Sequence, residues 1–307
     1  MNYADNFRPA AERQHLYFAL LFVATFPFFW GALRMLFIFS LTREYCSHIF
    51  LIPPITAILI YLQRSAIFHD HALGRGGGIL ILLAGFGIFG LSRVLAPHWG
   101  EYEAVSLGTV GILLTWLGAF IFSYGFQSFR AALFPLLFLF WMIPVPVSLL
   151  EKVIFLLQEG TAAIAEVLFH WSTVPVFRQG FIFSLPGLTI EVAKECSGIR
   201  SSMALVITAM LASYLFLKSI WKRTVLVALA LPLAVIKNGA RIVALSLLSI
   251  RVDPNFMRGP LHQEGGILFF VLALVLFAPV LLWLERSEAG ATEPAALKSA
   301  PEKSSCV

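Results

Sequence analysis

The amino-acid sequence predicts an all-α polytopic membrane protein of about eight transmembrane helices, with an extracytoplasmic cap made of an amphipathic helix and a β-hairpin. The first observation is composition. Of 307 residues, 59% are hydrophobic and only 13% are charged, and the mean hydropathy is +0.85. Soluble domains carry about 25% charged residues. The second observation is that apolar runs near twenty residues recur along the chain, and such runs span a bilayer as helices.

The first half of the chain is predicted to be mostly membrane-embedded. Residues 1–15 are polar and are expected to form a cytoplasmic N-terminus, and residues 16–150 are expected to hold five spans. The predicted spans lie at 16–33, 49–62, 76–95, 104–124 and 131–150. Pro144 and Pro146 interrupt the far end of the fifth, because proline breaks the hydrogen-bond ladder of a helix.

The pattern changes over residues 151–199, which we expect to form the cap. Residues 151–172 place apolar side chains at helical spacing, with Thr161 as the one polar residue of the stripe and charges on the other side. This pattern is typical of an amphipathic helix at the membrane interface. Residues 178–192 hold two β-prone runs around a Pro-Gly pair, which predicts a hairpin. Since an open hairpin cannot lie in lipid, we place it outside the membrane.

The last part of the chain is predicted to return to the membrane. Residues 200–284 are expected to hold three spans, at 200–217, 224–250 and 265–284, and residues 285–307 are polar and expected to form a disordered cytoplasmic tail. Eight spans place both ends of the chain on the same side. The basic residues of the short loops favour the cytoplasm for that side by a small margin.

Cys196 lies where the polar cap gives way to an apolar span, in the stretch Lys194–Ser202. The three cysteines, at 46, 196 and 306, follow no disulfide or zinc spacing. A thiolate is a strong nucleophile when suitable groups surround it. A lone cysteine at a helix start is more often inert than reactive, so its partners decide the interpretation.

Span order brings two reactive side chains to the same end of the bundle as Cys196. Arg241 lies roughly 25 Å along the helix that starts near Thr224, which places it near the outer edge of a hydrocarbon core about 30 Å thick. His262 lies just before the last span. Histidine transfers protons near neutral pH, and a guanidinium can stabilise a developing oxyanion. The three types together predict acyl transfer through a thioester.

Other roles remain open for several polar residues. Arg200 could stabilise the Cys196 thiolate or bind a substrate carboxylate, and His48 could orient a substrate or compete with His262 for the proton. Alternatively, the cations of the seventh span serve only to hold the bundle. Lys237 and Arg241 would then pair with acidic residues, for which the candidates are Glu191, Glu195 and Glu264.

These motifs resemble the exosortase/archaeosortase family over about residues 40–285. The stretches that carry the resemblance are Glu195–Arg200, Asn238–Ile242, His262 before two glycines, Ser47–Pro53, Phe140–Pro146 and Gly180–Val192. Two positions depart from the family pattern. Glu195 stands where a small or apolar residue is expected, and Ile49 stands where glycine is usual. Both departures bear on substrate choice and leave the proposed catalytic groups in place.

The resemblance implies a membrane-embedded cysteine protease or transpeptidase in the plasma (inner) membrane, active on its extracytoplasmic face. Such enzymes cleave C-terminal sorting signals of exported proteins. The signal has a short motif (Pro-Glu-Pro in the best-known bacterial set), a transmembrane helix and a basic end. The resemblance further implies a link to exopolysaccharide production. It implies that Cys196 attacks, Arg241 stabilises the oxyanion and His262 moves the proton. Supporting or substrate-binding roles fall to Arg200, Ser197, Asn238 and His48.

No cofactor and no metal site is expected, and the partners expected are exported proteins with such signals and membrane lipid, not nucleic acid. The alternative function is an envelope glycan transporter or flippase. A transporter would need intramembrane charges along a path across the bilayer, whereas the strong ones here cluster at one depth. Serine and zinc protease motifs of the Gly-x-Ser-x-Gly and His-Glu-x-x-His types are absent from the sequence. A scaffold protein whose cap binds a partner is a further alternative.

Overall fold

A computed structural model of the chain describes residues 8–69, 75–194, 197–253 and 260–297. Near the ends of these ranges only the backbone is described, at residues 8–13, 75, 260–265 and 289–297. Within the described part, eight helices are long and apolar enough to cross a membrane. The prediction of an all-α polytopic membrane protein is therefore confirmed. The chain divides into two compact units, Met1–Glu151 and Lys152–Val307.

The first unit is a helical bundle. Its helices are α1 (Arg8–Thr42), α2 (Ile52–Leu62), α3 (Arg64–Ile67), α4 (Arg75–Trp99), α5 (Glu101–Ala131) and α6 (Leu133–Phe138), with 3₁₀ turns at Glu44–Cys46, Ile49–Leu51 and Leu139–Met142. Glycines bring α4 and α5 into backbone contact. A β-carbon built on Gly85 would lie 2.5 Å from the Thr115 backbone nitrogen, and one on Gly111 would lie 2.6 Å from that of Phe89. Small residues of this kind let membrane helices pack closely.

The second unit combines long helices with a small sheet. Its elements are α7 (Val147–Trp171, of which all but the first turn belongs to this unit), β1 (Phe177–Gln179), β2 (Ile182–Leu185), β3 (Leu188–Glu191), α8 (Ile199–Phe216), α9 (Ile220–Arg251) and α10 (Pro260–Leu297). The strands pair antiparallel in the order β1-β2-β3. Leu185 pairs with Leu188 across the Pro-Gly turn, where Gly187 has a φ of 75°. The predicted hairpin is confirmed, and β1 extends it.

The sheet packs on one end of α7 and α9. Phe183 and Ile190 are buried in a cluster with Phe169 of α7 and Val243 of α9. The side chain of Gln158 donates a hydrogen bond of 2.7 Å to the carbonyl oxygen of Val192, just after β3. The chain that leaves the sheet toward α8 therefore starts from a fixed position beside α7.

Two predicted elements of the middle of the chain differ from the structure. The continuous span predicted at 131–150 is wrong, because the chain there forms only the short apolar stretch Leu133–Met142 before the prolines. The helix predicted at the interface over 151–172 is α7, which is long and apolar enough to span the membrane. The prediction and the structure both have eight spans, because α7 takes the place of the span predicted at 131–150.

Helix α7 is packed into the second unit through small residues. A β-carbon on Gly160 would lie 2.9 Å from Val235 Cγ1, and one on Gly239 would lie 2.7 Å from Ile164 Cγ2. The backbones of α7 and α9 therefore approach closely at two points, as the small-residue interfaces of membrane helices do. The charged residues that suggested an interfacial helix do not prevent this contact, because it uses a different face of α7.

Candidate active site

The turn from Lys194 to Gly198, closed by a hydrogen bond from the Ser197 nitrogen to the Lys194 carbonyl oxygen, leads into α8 and carries the candidate nucleophile. It is called the nucleophile turn below. Cys196 itself, with Glu195, lies outside the described residues, but the chain is described from Ser197 onward. Ser197 is buried, and Gly198 caps the start of α8 with a φ of 76°.

Gly198 lies directly against Asn238 of α9. A β-carbon built on Gly198 would lie 2.8 Å from Asn238 Cγ and 3.0 and 3.1 Å from its Oδ1 and Nδ2 atoms. No real side chain makes contacts so short, so the approach requires glycine. The positive φ favours glycine for a second reason. The amide of Asn238, predicted as a supporting group, is thus in place beside the nucleophile turn.

Two further contacts hold α9 in this position. The Asn238 Nδ2 atom donates a hydrogen bond of 3.3 Å to the hydroxyl of Thr161 on α7. The buried Lys237 donates to the hydroxyl of Ser201 in the first turn of α8. The sequence suggested an acidic partner for Lys237, whereas the partner shown among the described residues is this serine. Successive residues of α9 therefore contact α7 and α8.

Arg241 faces the start of α10. Its Nη1 atom lies 4.0 Å from the position that a β-carbon on Gly266 would occupy. His262 is in the same helix four residues earlier, and residues four apart lie on one face of a helix, about 6 Å apart along its axis. The backbone of α10 is described at His262, while its side chain lies outside the described residues. The predicted arginine and the helical turn carrying the predicted histidine are therefore neighbours.

Two buried serine hydroxyls border the nucleophile turn. The Oγ atoms of Ser197 and Ser202 have no hydrogen-bond partner among the described residues, although both side chains are buried. An unpaired buried hydroxyl costs free energy. Arg200, the other predicted supporting residue of this segment, is exposed on the first turn of α8.

His48 lies in the first unit, in the link between two 3₁₀ turns. Its Nε2 atom is 3.1 Å from the carbonyl oxygen of Trp141. Since a carbonyl only accepts, Nε2 carries the proton of this hydrogen bond. The contact joins two of the motifs singled out in the sequence, Ser47–Pro53 and Phe140–Pro146. A role in orienting substrate stays a prediction.

The sequence did not identify Thr161 or Ser201 as parts of the site. Thr161 was noticeable only as the one polar residue of the apolar stripe of α7, and that signal does not tell which helix it faces. Ser201 is one of three serines that closely follow Cys196, and the sequence does not distinguish it from Ser197 and Ser202. Both assignments depend on the helix register, which the sequence does not contain.

The comparisons with known proteins point to one family. The family model described as transmembrane exosortase matches residues 38–279. The match includes all seven residues that the sequence singled out for the site, from His48 to His262. No curated protein and no solved structure gives a match.

Proposed function

Because the chain belongs to the transmembrane exosortase family, we propose that it is a membrane-embedded cysteine transpeptidase that cleaves C-terminal sorting signals of exported proteins. The family is one of membrane transpeptidases of the cysteine type that act on such signals. The observation that carries the assignment to particular residues is the convergence of Gly198, Asn238, Arg241 and Gly266. They bring the starts of α8 and α10 to one stretch of α9.

The proposed reaction has two steps. In the first, the Cys196 sulfur attacks the carbonyl carbon of the scissile peptide bond while His262 takes the thiol proton. Arg241 stabilises the oxyanion of the tetrahedral intermediate. The C–N bond then breaks, His262 returns the proton to the leaving amine, and the transmembrane tail departs. In the second step an acceptor nucleophile attacks the thioester, forms a bond to the acyl carbon and releases the Cys196 thiol.

The proposed location of the reaction is the extracytoplasmic end of the membrane spans. Within the second unit, the start of α8 and the start of α10 lie at the end that carries the sheet. Arg251 of α9 reaches the same end, where its guanidinium donates to the carbonyl oxygen of Ser172. An exported protein held by its C-terminal helix would present its sorting motif at this end.

Glycan transport is the rival function, and no observation favours it. A transport path needs polar groups along the whole thickness of the bilayer. In the second unit, Lys237, Asn238 and Arg241 of α9 lie within about one helical turn of each other. The other charged side chains of α9 that bond to neighbouring elements, among them Lys222 and Arg251, lie at the two ends of the helix. This grouping fits a reaction centre better than a conduit.

The proposal is tested by comparing two cysteine substitutions. Membranes containing the protein are incubated with an exported reporter that ends in a Pro-Glu-Pro motif, a transmembrane helix and basic residues. Cys196→Ala is expected to lower cleavage by about 10⁴-fold or more, because loss of a nucleophile removes the covalent route. Electrophoresis of the shortened reporter measures the effect.

Cys46→Ala is the matched control. Cys46 is buried in the first unit, with its sulfur 3.8 Å from the Tyr102 hydroxyl, and has no role in the proposed reaction. This variant is expected to cleave the reporter as the unaltered protein does. Cleavage that persists in Cys196→Ala would refute the cysteine mechanism.

A further inference from the structure

Thr161 is a polar residue in an otherwise apolar stripe of α7, and its side chain is completely buried. Its hydroxyl accepts the hydrogen bond from Asn238, whose amide lies against Gly198. We propose that Thr161 is a positioning residue, which orients the Asn238 amide and through it the turn that carries Cys196. The inference rests on the proposed function and adds a residue to it.

The first step is that α7 and α9 cannot slide past each other. Gly160 and Gly239 make the two close approaches described above, one to Val235 and one to Ile164. Thr161 and Asn238 are the chain neighbours of these glycines, so their hydrogen bond is formed between backbones already fixed in register. A small change at Thr161 therefore acts on the Asn238 side chain before it acts on the helices.

The second step is that Asn238 has little room to move without affecting Gly198. The Asn238 side chain is 1% exposed, and its amide atoms lie within 3.1 Å of the β-carbon position at Gly198. The Thr161 hydroxyl holds the amide nitrogen on the α7 side. Loss of that hydroxyl removes this hydrogen bond, and we expect the amide to reorient and the nucleophile turn to shift with it.

The third step separates positioning from simple stabilisation. Hydrogen bonds between membrane helices contribute modestly to stability, so a Thr-Asn bond that only joined α7 to α9 would affect stability alone. A bond that positions the nucleophile also affects the reaction, because a displacement of about 1 Å can lower a rate by about 10²-fold. Reactivity of the Cys196 thiol is therefore the informative measurement.

The experiment uses the full-length protein in detergent micelles, with Cys46→Ala and Cys306→Ala introduced so that Cys196 is the one thiol. Two quantities are measured: kcat and KM for reporter cleavage, and the pH profile of alkylation by N-ethylmaleimide. Thr161→Val removes the hydroxyl with little change in shape. It is expected to lower kcat about 10- to 100-fold, to leave KM unchanged and to shift the alkylation profile.

Two control variants make the result decisive. Thr161→Ser keeps the hydroxyl and is expected to retain kcat and the alkylation profile. Thr115→Val removes another buried hydroxyl, which donates to the Gly111 carbonyl in the first unit, and is expected to leave the alkylation profile unchanged. The proposal is overturned if Thr161→Val matches the unaltered protein in both measurements, or if Thr161→Ser loses as much as Thr161→Val.

Failure of the proposed function would look different. If Cys196→Ala still cleaves the reporter, the proposed function is wrong. The alkylation profile needs no substrate, so it still tests whether Thr161 positions the thiol. A profile that is the same in Thr161→Val and the unaltered protein would then overturn the positioning role by itself.

Discussion

Replacing Arg241 with alanine is expected to lower kcat for sorting-signal cleavage by about 10²- to 10³-fold, the usual effect of removing an oxyanion donor. Arg241 is half-buried, and its guanidinium lies beside Gly266, one turn after His262. In the proposed mechanism, it donates hydrogen bonds where negative charge develops during attack by Cys196. Because that charge exists mainly in the transition state, the loss is expected in kcat more than in KM.

Two further substitutions, both of arginines in α9, complete this test. Arg241→Lys keeps the charge but loses the forked donor geometry, so it is expected to recover only part of the activity. Arg251→Ala removes another arginine of the same helix, which is exposed and donates to the Ser172 carbonyl, and is expected to leave kcat unchanged. Steady-state kinetics with the reporter measures all three. An Arg241→Ala variant with full kcat would exclude the oxyanion role.

Substituting alanine for Gly198 is expected to destabilise the protein by about 1–3 kcal/mol and to lower cleavage strongly. Two effects add. A residue with a side chain is strained at a φ of 76°, and the new methyl group would lie 2.8 Å from the Asn238 amide carbon. Asn238 is buried and held by Thr161, so the strain is expected to displace the nucleophile turn. Thermal unfolding and reporter cleavage measure the two consequences.

Gly187→Ala isolates the backbone part of this effect. Gly187 has a φ of 75° in the β2–β3 turn, and a β-carbon there would meet nothing within 4 Å. It is expected to lower stability by the strain alone and to cleave more reporter than Gly198→Ala does. Equal effects of the two variants on cleavage would show that contact with Asn238 does not matter. Adding Asn238→Ala to Gly198→Ala tests the contact directly by a double-mutant cycle.

The helices that hydropathy predicts best are those whose apolar runs stand between clear polar segments. Helix α8 begins within one residue of the predicted span start, and the Pro-Gly pair correctly placed the turn between β2 and β3. In these segments local chemistry decides the outcome. Contacts with residues distant in sequence are not needed to predict these elements.

Helix α7 could not be predicted in the same way. Lys152, Glu159 and Glu166 lower its hydropathy, and the apolar run before it made a separate span seem complete at Leu150. What makes α7 part of the bundle is close packing of Gly160 and Gly239, together with ion pairing of Glu166 to Arg178 of β1 at 2.8 Å. Both depend on neighbours that are distant in sequence.

The reactive residues of the candidate site could be predicted from the sequence, but the contacts that hold them in place could not. Span order placed Arg241 and His262 at one end of the bundle, and the structure puts Arg241 beside the turn of α10 that follows His262. The contact of Thr161 with Asn238, and of Asn238 with Gly198, depends on the rotation of two helices about their axes. A sequence gives the period of a helix, but the packing against other helices fixes its rotation.

The most direct test of the proposed mechanism is the location of the covalent intermediate. The protein is incubated with the reporter, the reaction is stopped with acid, and the peptides are analysed by mass spectrometry with and without hydroxylamine, which cleaves thioesters. The mechanism predicts the reporter's acyl group on Cys196, lost after hydroxylamine treatment. Cleaved reporter formed with the acyl group on any other residue of the protein would contradict it.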